Sequence, residues 1–216
     1  MNLDATTRNA LVNAFWTQVQ NTISWVTERA GSVHVHVEDI LLGYERLLKQ
    51  IDENLTLQVG RAHAQAPVEL VIGCDGYAES IASVMSLVQA APSMQGVHIR
   101  AFHERLDEVP GVVETLDEEP LALSTLWFHL SRTDELHLSI FLEEFQGLES
   151  DTRVEAVMYY LDALIGEFDL MTRVATLNWY VLPEDPLDFG LKPLSELRTE
   201  FDRIRASVRP LGVVLH

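Results

Sequence analysis

The 216-residue sequence contains a single cysteine, Cys74, and has no long apolar run. One cysteine excludes an intramolecular disulfide, a Cys-x-x-Cys redox pair and a zinc site built from several thiolates. No apolar stretch reaches the roughly 18 residues that a membrane-spanning helix needs, and the first residues lack the basic and apolar regions of a secretory signal. We therefore expect a cytoplasmic protein that does not enter a membrane.

Basic residues are also scarce, because 15 Lys and Arg stand against 33 Asp and Glu, giving a net charge of −18 at pH 7. Such a chain repels phosphate backbones and anionic lipid headgroups, so we expect no nucleic-acid partner and no membrane partner. Glycine-rich phosphate loops and the Gly-x-Ser-x-Gly motif of serine hydrolases are absent too. No motif names a reaction, so we favour a protein without catalytic activity and expect no cofactor.

Apolar periodicity predicts helices near both ends of the chain. Apolar residues recur every three or four positions over residues 6–28 and again over 37–52, which predicts a helical hairpin. A third amphipathic helix is predicted to begin with Pro193 in its first turn and to run to about residue 208, since proline suits the first turn of a helix.

Between these helices the apolar period changes to two, which indicates strands. The order strand, strand, helix, strand occurs twice. We therefore predict an α+β fold with a mixed, mostly antiparallel sheet from a pseudo-duplicated ββαβ arrangement. We expect one domain, made of the helical hairpin (1–53), a sheet-containing body (54–182) and a C-terminal helix (192–209). The predicted strands lie at 55–59, 68–72, 97–101, 126–130, 136–142 and 175–181.

Three segments carry a resemblance to a known family. Phe15-Trp16 lies in the first predicted helix, residues 72–76 read Ile-Gly-Cys-Asp-Gly, and residues 161–167 read Leu-Asp-Ala-Leu-Ile-Gly-Glu and lead to Thr172-Arg173. These motifs resemble a family of uncharacterised bacterial cytoplasmic proteins of about this length, a domain of unknown function, over most of the chain. The resemblance implies no activity and no site residue.

A His-x-His motif is the sharpest candidate for a metal site. An extended backbone would place His34 and His36 on one side with Glu38 beside them, a set that suits zinc in a metal-dependent hydrolase. The other interpretation is a polar loop, with Glu38 and Asp39 at the start of the next helix, where the helix dipole favours acids. We favour the loop, because no further ligand stands at a diagnostic spacing, and we expect purified protein to hold no stoichiometric metal.

Cys74 precedes Asp75 and Gly76 where a predicted strand gives way to a helix. A helix N-terminus can lower the pKa of a thiol, but a neighbouring carboxylate would oppose a thiolate. We therefore interpret Cys74 as a buried structural cysteine and Asp75 as the cap of the following helix.

Strand alternation places aromatic and polar residues together on the sheet face opposite the helices. Aromatic rings supply contact area and imidazole or amide groups orient a partner, so this face is our predicted binding site for a small ligand, another protein or a second copy of the chain. The alternative is that the added helices cover it. The predicted binding residues are His98, Arg100, Trp127, His129, His137, Phe141 and Tyr180, with Phe102 and Asn178 on the same face.

Residues 104–119 form the most acidic segment, with seven acids and Arg105 as the one base. We predict a solvated acidic loop; the alternative is a docking strip for a basic protein, as in an immunity-type protein that neutralises a toxin. The leading interpretation of the whole sequence is a non-catalytic binding or protein-interaction module. The acids are Glu104, Asp107, Glu108, Glu114, Asp117, Glu118 and Glu119.

Overall fold

The computed structural model describes residues 4–28, 35–61, 63, 65–132, 134–208 and 210. Within that part of the chain, helices and strands combine in an α+β fold, which confirms the predicted class. The chain divides into two compact units, and the division falls between Phe102 and His103.

The first unit begins with a helical hairpin and continues into a small sheet. The sequence predicted both helices of the hairpin and all three strands of the sheet within a few residues. The elements are α1 (Ala5–Glu28), α2 (Val35–Ile51), β1 (Thr56–Gly60), β2 (Val68–Gly73), α3 (Ile81–Gln89) and β3 (Val97–Ala101).

The three strands of the first unit lie in the order β1-β2-β3. β1 pairs antiparallel with β2, and α3 carries the chain across to β3, which pairs parallel with β2. Alternate residues of β2 are buried, namely Val68, Leu70 and Ile72. This alternation is the reason why the sequence pattern identified the strand.

Aromatic residues hold the helical hairpin together. Phe15 and Trp16 are buried on α1, and the Phe15 ring meets Tyr44 of α2 edge to face at 6.2 Å. The indole nitrogen of Trp16 donates a hydrogen bond to the carbonyl of Leu87 on α3 at 3.0 Å. A buried indole N–H needs such an acceptor, so this bond fixes the hairpin against α3.

The predicted capping of α3 by Asp75 is wrong. Asp75 and Gly76 both have positive φ, 49° and 80°, and form a tight turn after β2. The helical segment begins later, with a 3₁₀ turn at Ala78–Ser80 whose N-terminus has no side-chain cap. Cys74 itself is buried, as predicted.

The second unit contains a two-stranded sheet, β4-β5, and a four-stranded sheet in the order β8-β7-β6-β9. Three short strands of this unit, β4, β5 and β9, were not predicted. The elements are β4 (Val112–Glu114), β5 (Pro120–Ala122), β6 (Trp127–Arg132), β7 (Leu136–Leu142), α4 (Val154–Ile165), α5 (Glu167–Arg173), β8 (Val174–Val181), β9 (Lys192–Pro193) and α6 (Leu197–Arg205).

The strand pairing of the first unit recurs in the second. β6 pairs antiparallel with β7, and α4 and α5 carry the chain across to β8, which pairs parallel with β7. The predicted repetition of the order ββαβ is therefore confirmed. The described strands form separate sheets, however, so the predicted body at 54–182 is not one continuous sheet. The single domain remains a prediction.

Helices α4 and α6 contribute to the core of the second unit together with one face of the four-stranded sheet. Phe128, Leu138 and Ile140 from the sheet share this core with Leu161 of α4 and Phe201 of α6. The start of α6 differs from the prediction. Pro193 belongs to β9, and the α-helix begins at Leu197.

The break between α4 and α5 occurs at Gly166, whose φ of 86° is unfavourable for residues with a Cβ. Seven-residue α5 is too short to show a helical period, which explains why it was not predicted. The buried carboxylate of Asp169 on α5 accepts hydrogen bonds from Arg173 at 2.8 Å and from Arg205 of α6 at 2.5 Å. These bonds tie α5 to the end of α6.

Candidate functional site

The four-stranded sheet has two chemically different faces. In β7 every second residue, from Leu136 to Leu142, is buried against the helices, and the residues between them are partly exposed. Directly paired residues on neighbouring strands point to the same face, so the pairing registers assign each side chain. The face away from the core, called the outer face below, carries Trp127, His129, Ser131, His137, Ser139, Phe141, Thr176, Asn178 and Tyr180.

Three aromatic residues form a row across the outer face. Trp127 of β6 is paired with Phe141 of β7, and Phe141 is paired with Tyr180 of β8. The rings of Phe141 and Tyr180 stack with their centroids 5.3 Å apart. We call Trp127, Phe141 and Tyr180 the aromatic row. It continues on the β9 side to Pro193, the register partner of Trp127.

Polar residues occupy the rest of the outer face. His129, Ser139 and Asn178 are aligned in the next row along the strands. Beyond them, His137 Nδ1 and Thr176 Oγ1 are hydrogen-bonded at 2.9 Å, and the Asn178 amide donates to the same Thr176 oxygen at 3.2 Å. The outer face thus offers apolar rings at one end and polar hydrogen-bonding groups at the other.

Five of the predicted binding residues are brought together on this face: Trp127, His129, His137, Phe141 and Tyr180. The register on which their common orientation depended is confirmed. Their role in binding stays a prediction.

The other two predicted binding residues, His98 and Arg100, lie on β3 and therefore belong to a different sheet in the first unit. Arg100 forms an ion pair with Glu69 of β2 at 2.9 Å. Phe102, expected on the outer face, is buried and has a φ of 65° just after β3 ends. The error arose because alternation defines the faces of one strand but does not say which strands share a sheet.

A second exposed apolar feature follows β8 and was missed by the sequence analysis. Leu187 and Phe189, in the 3₁₀ turn at Pro186–Phe189, are 73% and 68% exposed. Val181, the last residue of β8, is 58% exposed. An apolar residue in a segment without periodicity is not recognisable as exposed from sequence, since most such residues are buried in a folded chain.

All seven acids of the acidic segment are exposed, which agrees with the predicted solvation, but the segment is not entirely a loop. Its residues Val112–Glu114 form β4, and Asp117 accepts a hydrogen bond from Thr115 in the turn before β5. This hydrogen bond lowers the pKa of Asp117 below its ordinary value. The turn lines an open pocket of about 370 Å³, which also includes Asp151 and Arg153.

Asp151 lines this pocket and forms an ion pair with Arg153. Its buried carboxylate accepts hydrogen bonds from the Arg153 guanidinium at 2.8 and 2.6 Å and from the Arg153 backbone N–H at 3.1 Å. The guanidinium holds the pKa of Asp151 below its ordinary value. Because the charges are paired within the protein, the pocket does not present an unsatisfied ligand-binding group there.

One buried carboxyl lies apart from the outer face. Asp162 of α4 is largely buried, and its Oδ1 has no hydrogen-bond partner within the described part of the chain. Burial, reinforced by the negative charge of Glu167, raises the pKa of Asp162 from 3.8 to about 7. Burial of an unpaired carboxylate is unfavourable, so this group opposes folding when it is ionised.

Two of the candidate metal ligands of the His-x-His motif cannot be placed, because His34 and the side chain of His36 lie outside the described residues. In the part of the chain that is described, no three His, Cys, Asp or Glu side chains are grouped so that they could hold a metal ion. Among the described helices, none has the length and apolar character that crossing a membrane requires.

Comparison with known proteins gives no relative: no protein-family model, curated protein or solved structure matches the chain. The resemblance to a bacterial family of unknown function therefore stays a prediction.

Proposed function

We propose that this protein is a non-catalytic interaction module that acts in the cytoplasm and binds a polypeptide through the outer face of its second sheet. The observation that carries the proposal is the composition of that face. None of its nine positions on β6, β7 and β8 is Asp, Glu, Lys or Arg, although 22% of the chain is charged. Depletion of charge and enrichment in aromatic residues are typical of the centre of protein interfaces.

The exposure of the aromatic row supports the same function. Tyr180 is 49% exposed, and Trp127 and Phe141 are partly exposed, so the rings keep apolar surface in contact with water. Burying that surface against a partner is favourable by about 25 cal/mol for each Å² removed from water. Trp and Tyr are also the residues that most often dominate binding energy in interfaces.

The polar end of the face favours a polypeptide over a purely apolar ligand. Ser139 and Asn178 provide both hydrogen-bond donors and acceptors beside the aromatic row. A peptide backbone presents N–H and C=O groups next to side chains of mixed polarity, and therefore matches both parts of the face.

The test is a selection from a phage-displayed library of random dodecapeptides on the wild-type protein. The affinity of a selected peptide is then measured by fluorescence anisotropy for wild type and Trp127→Ala. We expect Trp127→Ala to weaken binding at least about fivefold, or about 1 kcal/mol, because an aromatic anchor is lost.

Leu116→Ala is the matched control, since Leu116 is an exposed apolar residue between β4 and β5 and does not belong to the four-stranded sheet. Its affinity should equal that of wild type. Circular dichroism checks that each variant is folded. A library that yields no binder, or a folded Trp127→Ala variant with unchanged affinity, would remove the outer face as the binding site.

A further inference from the structure

The two edges of the four-stranded sheet differ in their capacity to pair with another strand. At one edge, β9 consists of Lys192 and Pro193 alone. A short strand, a lysine and a proline each discourage pairing with a further strand. At the other edge, β8 has eight residues and contains no charged residue, glycine or proline. Among the described strands, β8 pairs with β7 and with no other.

The hydrogen-bond pattern identifies the groups of β8 that face the open side. The N–H of Leu182 donates to the carbonyl of Leu142 at 2.8 Å, toward β7. Because successive residues of a strand direct their N–H and C=O groups to opposite sides, the backbone groups of Leu177, Trp179 and Val181 point away from β7. These three residues span about 13 Å along the edge, at about 3.3 Å per residue.

Acidic side chains lie beyond the ends of β7 and β8. Glu143 and Glu144 follow Leu142, and Glu184 and Asp185 follow β8 after two intervening residues. All four are exposed, and we call them the acidic corner.

Arg153 reaches the acidic corner from the start of α4, but its charge is already paired. Arg153 donates to the backbone carbonyl of Glu143 at 3.0 Å, while its guanidinium is paired with Asp151. The acidic corner therefore attracts positive charge from a partner.

We propose that the polypeptide bound by this protein is an extended basic segment that adds to β8 as a further strand. This inference rests on the proposed function and names the class of partner. The segment pairs with the outward N–H and C=O groups of Leu177, Trp179 and Val181, as in β-strand addition to other sheet edges. Its Lys or Arg residues lie at the end of β8 that meets the acidic corner.

The aromatic row and the edge form one continuous surface. Tyr180, the last member of the row, lies on β8 itself, so an added strand places a side chain directly beside its ring on the outer face. A second copy of the chain fits this edge less well, because each copy carries a net charge of −18 and two copies repel each other.

Val181→Pro tests the edge without removing a bond of the native ladder. Proline lacks the N–H, and the N–H of Val181 points to the open side. The Val181 side chain is 58% exposed, and the residue before a proline favours the extended backbone that Tyr180 already has. Val181→Thr is the matched control, since it keeps the N–H and a β-branched side chain.

The probe is the tightest dodecapeptide from the phage selection, together with the same peptide in which every Lys and Arg is replaced by Glu. We expect the selected peptide to be basic and the Glu version to bind at least tenfold more weakly. Val181→Pro should lower the affinity at least tenfold, and Val181→Thr should change it less than twofold. Amide exchange by NMR should show protection at Leu177, Trp179 and Val181 upon binding.

The two variants distinguish strand addition at β8 from binding by the outer face alone. If Trp127→Ala weakens binding but Val181→Pro does not, the outer face binds and the edge does not, which overturns strand addition. Selected peptides without basic residues, or no added protection at the three amides, overturn it as well. So does a wild-type dimer in sedimentation that Val181→Pro dissociates, since the edge then pairs with a second copy.

Discussion

The rings of Phe141 and Tyr180 stack across two parallel strands, with their planes inclined by 28°. The two residues are register partners in β7 and β8, so the backbone pairing itself brings the rings together. The contact places the last ring of the aromatic row on the edge strand β8. It thereby links the face that we propose for binding to the edge that we propose for strand addition.

This stack should stabilise the fold by a measurable coupling. In a double-mutant cycle of Phe141→Leu and Tyr180→Leu, we expect a coupling free energy of about 0.5–1.5 kcal/mol from urea unfolding, the range for aromatic pairs. The control cycle combines Phe141→Leu with Val112→Ala, an exposed position on the separate β4-β5 sheet. Equal coupling in both cycles would show that the ring contact contributes nothing specific.

Leu138 lies at the centre of the core of the second unit and is fully buried. We expect Leu138→Ala to lower the free energy of unfolding by about 2–5 kcal/mol, because truncation leaves a cavity between the sheet and the helices. Ser139→Ala changes the next residue, which faces outward, and should alter stability by less than about 0.5 kcal/mol. Similar losses in the two variants would contradict the assignment of the faces.

Asp162 should make stability fall as the pH rises. Its carboxyl binds a proton more tightly in the folded protein, with a pKa of about 7, than in the unfolded chain, where the ordinary value is 3.8. Between these values the folded state keeps a proton that the unfolded state has lost, so the contribution of Asp162 becomes less favourable from about pH 4 to pH 7 and is constant above.

Asp162→Asn should remove this dependence. We expect it to raise the free energy of unfolding by about 1–3 kcal/mol at pH 8 and to change it little at pH 4, as measured by urea unfolding. Asp188→Asn, at an exposed residue, is the control and should leave the pH profile as it is. A wild-type profile that Asp162→Asn leaves unchanged would show that this carboxyl does not titrate near neutral pH.

Local patterns predicted most elements of the fold. The alternation of Leu136, Leu138 and Ile140 predicted β7 and its buried face, and helical spacing around Phe15 and Tyr44 predicted the hairpin. These patterns succeed because a strand or helix buries one side, and the chain must repeat apolar residues at the matching period.

Elements too short to show an apolar repeat were not predicted. β9 has two residues, and only its pairing with Trp127 and Phe128 makes it a strand. Pro193 was assigned to a helix on its residue type, but long-range pairing decides its conformation. Asp75 was similarly assigned as a cap, whereas its positive φ reflects a turn imposed by the path of the chain.

The sequence by itself determined which side chains of each strand share a face, because alternation is a property of one strand. It therefore placed Trp127 and His129 together, and Phe141 and His137 together, before any pairing was known. Only the tertiary structure decided that Phe141 lies between Trp127 and Tyr180, that His98 and Arg100 belong to another sheet, and that β8 is an edge. Pairing depends on contacts between residues far apart in the chain, and no local pattern encodes which strands become neighbours.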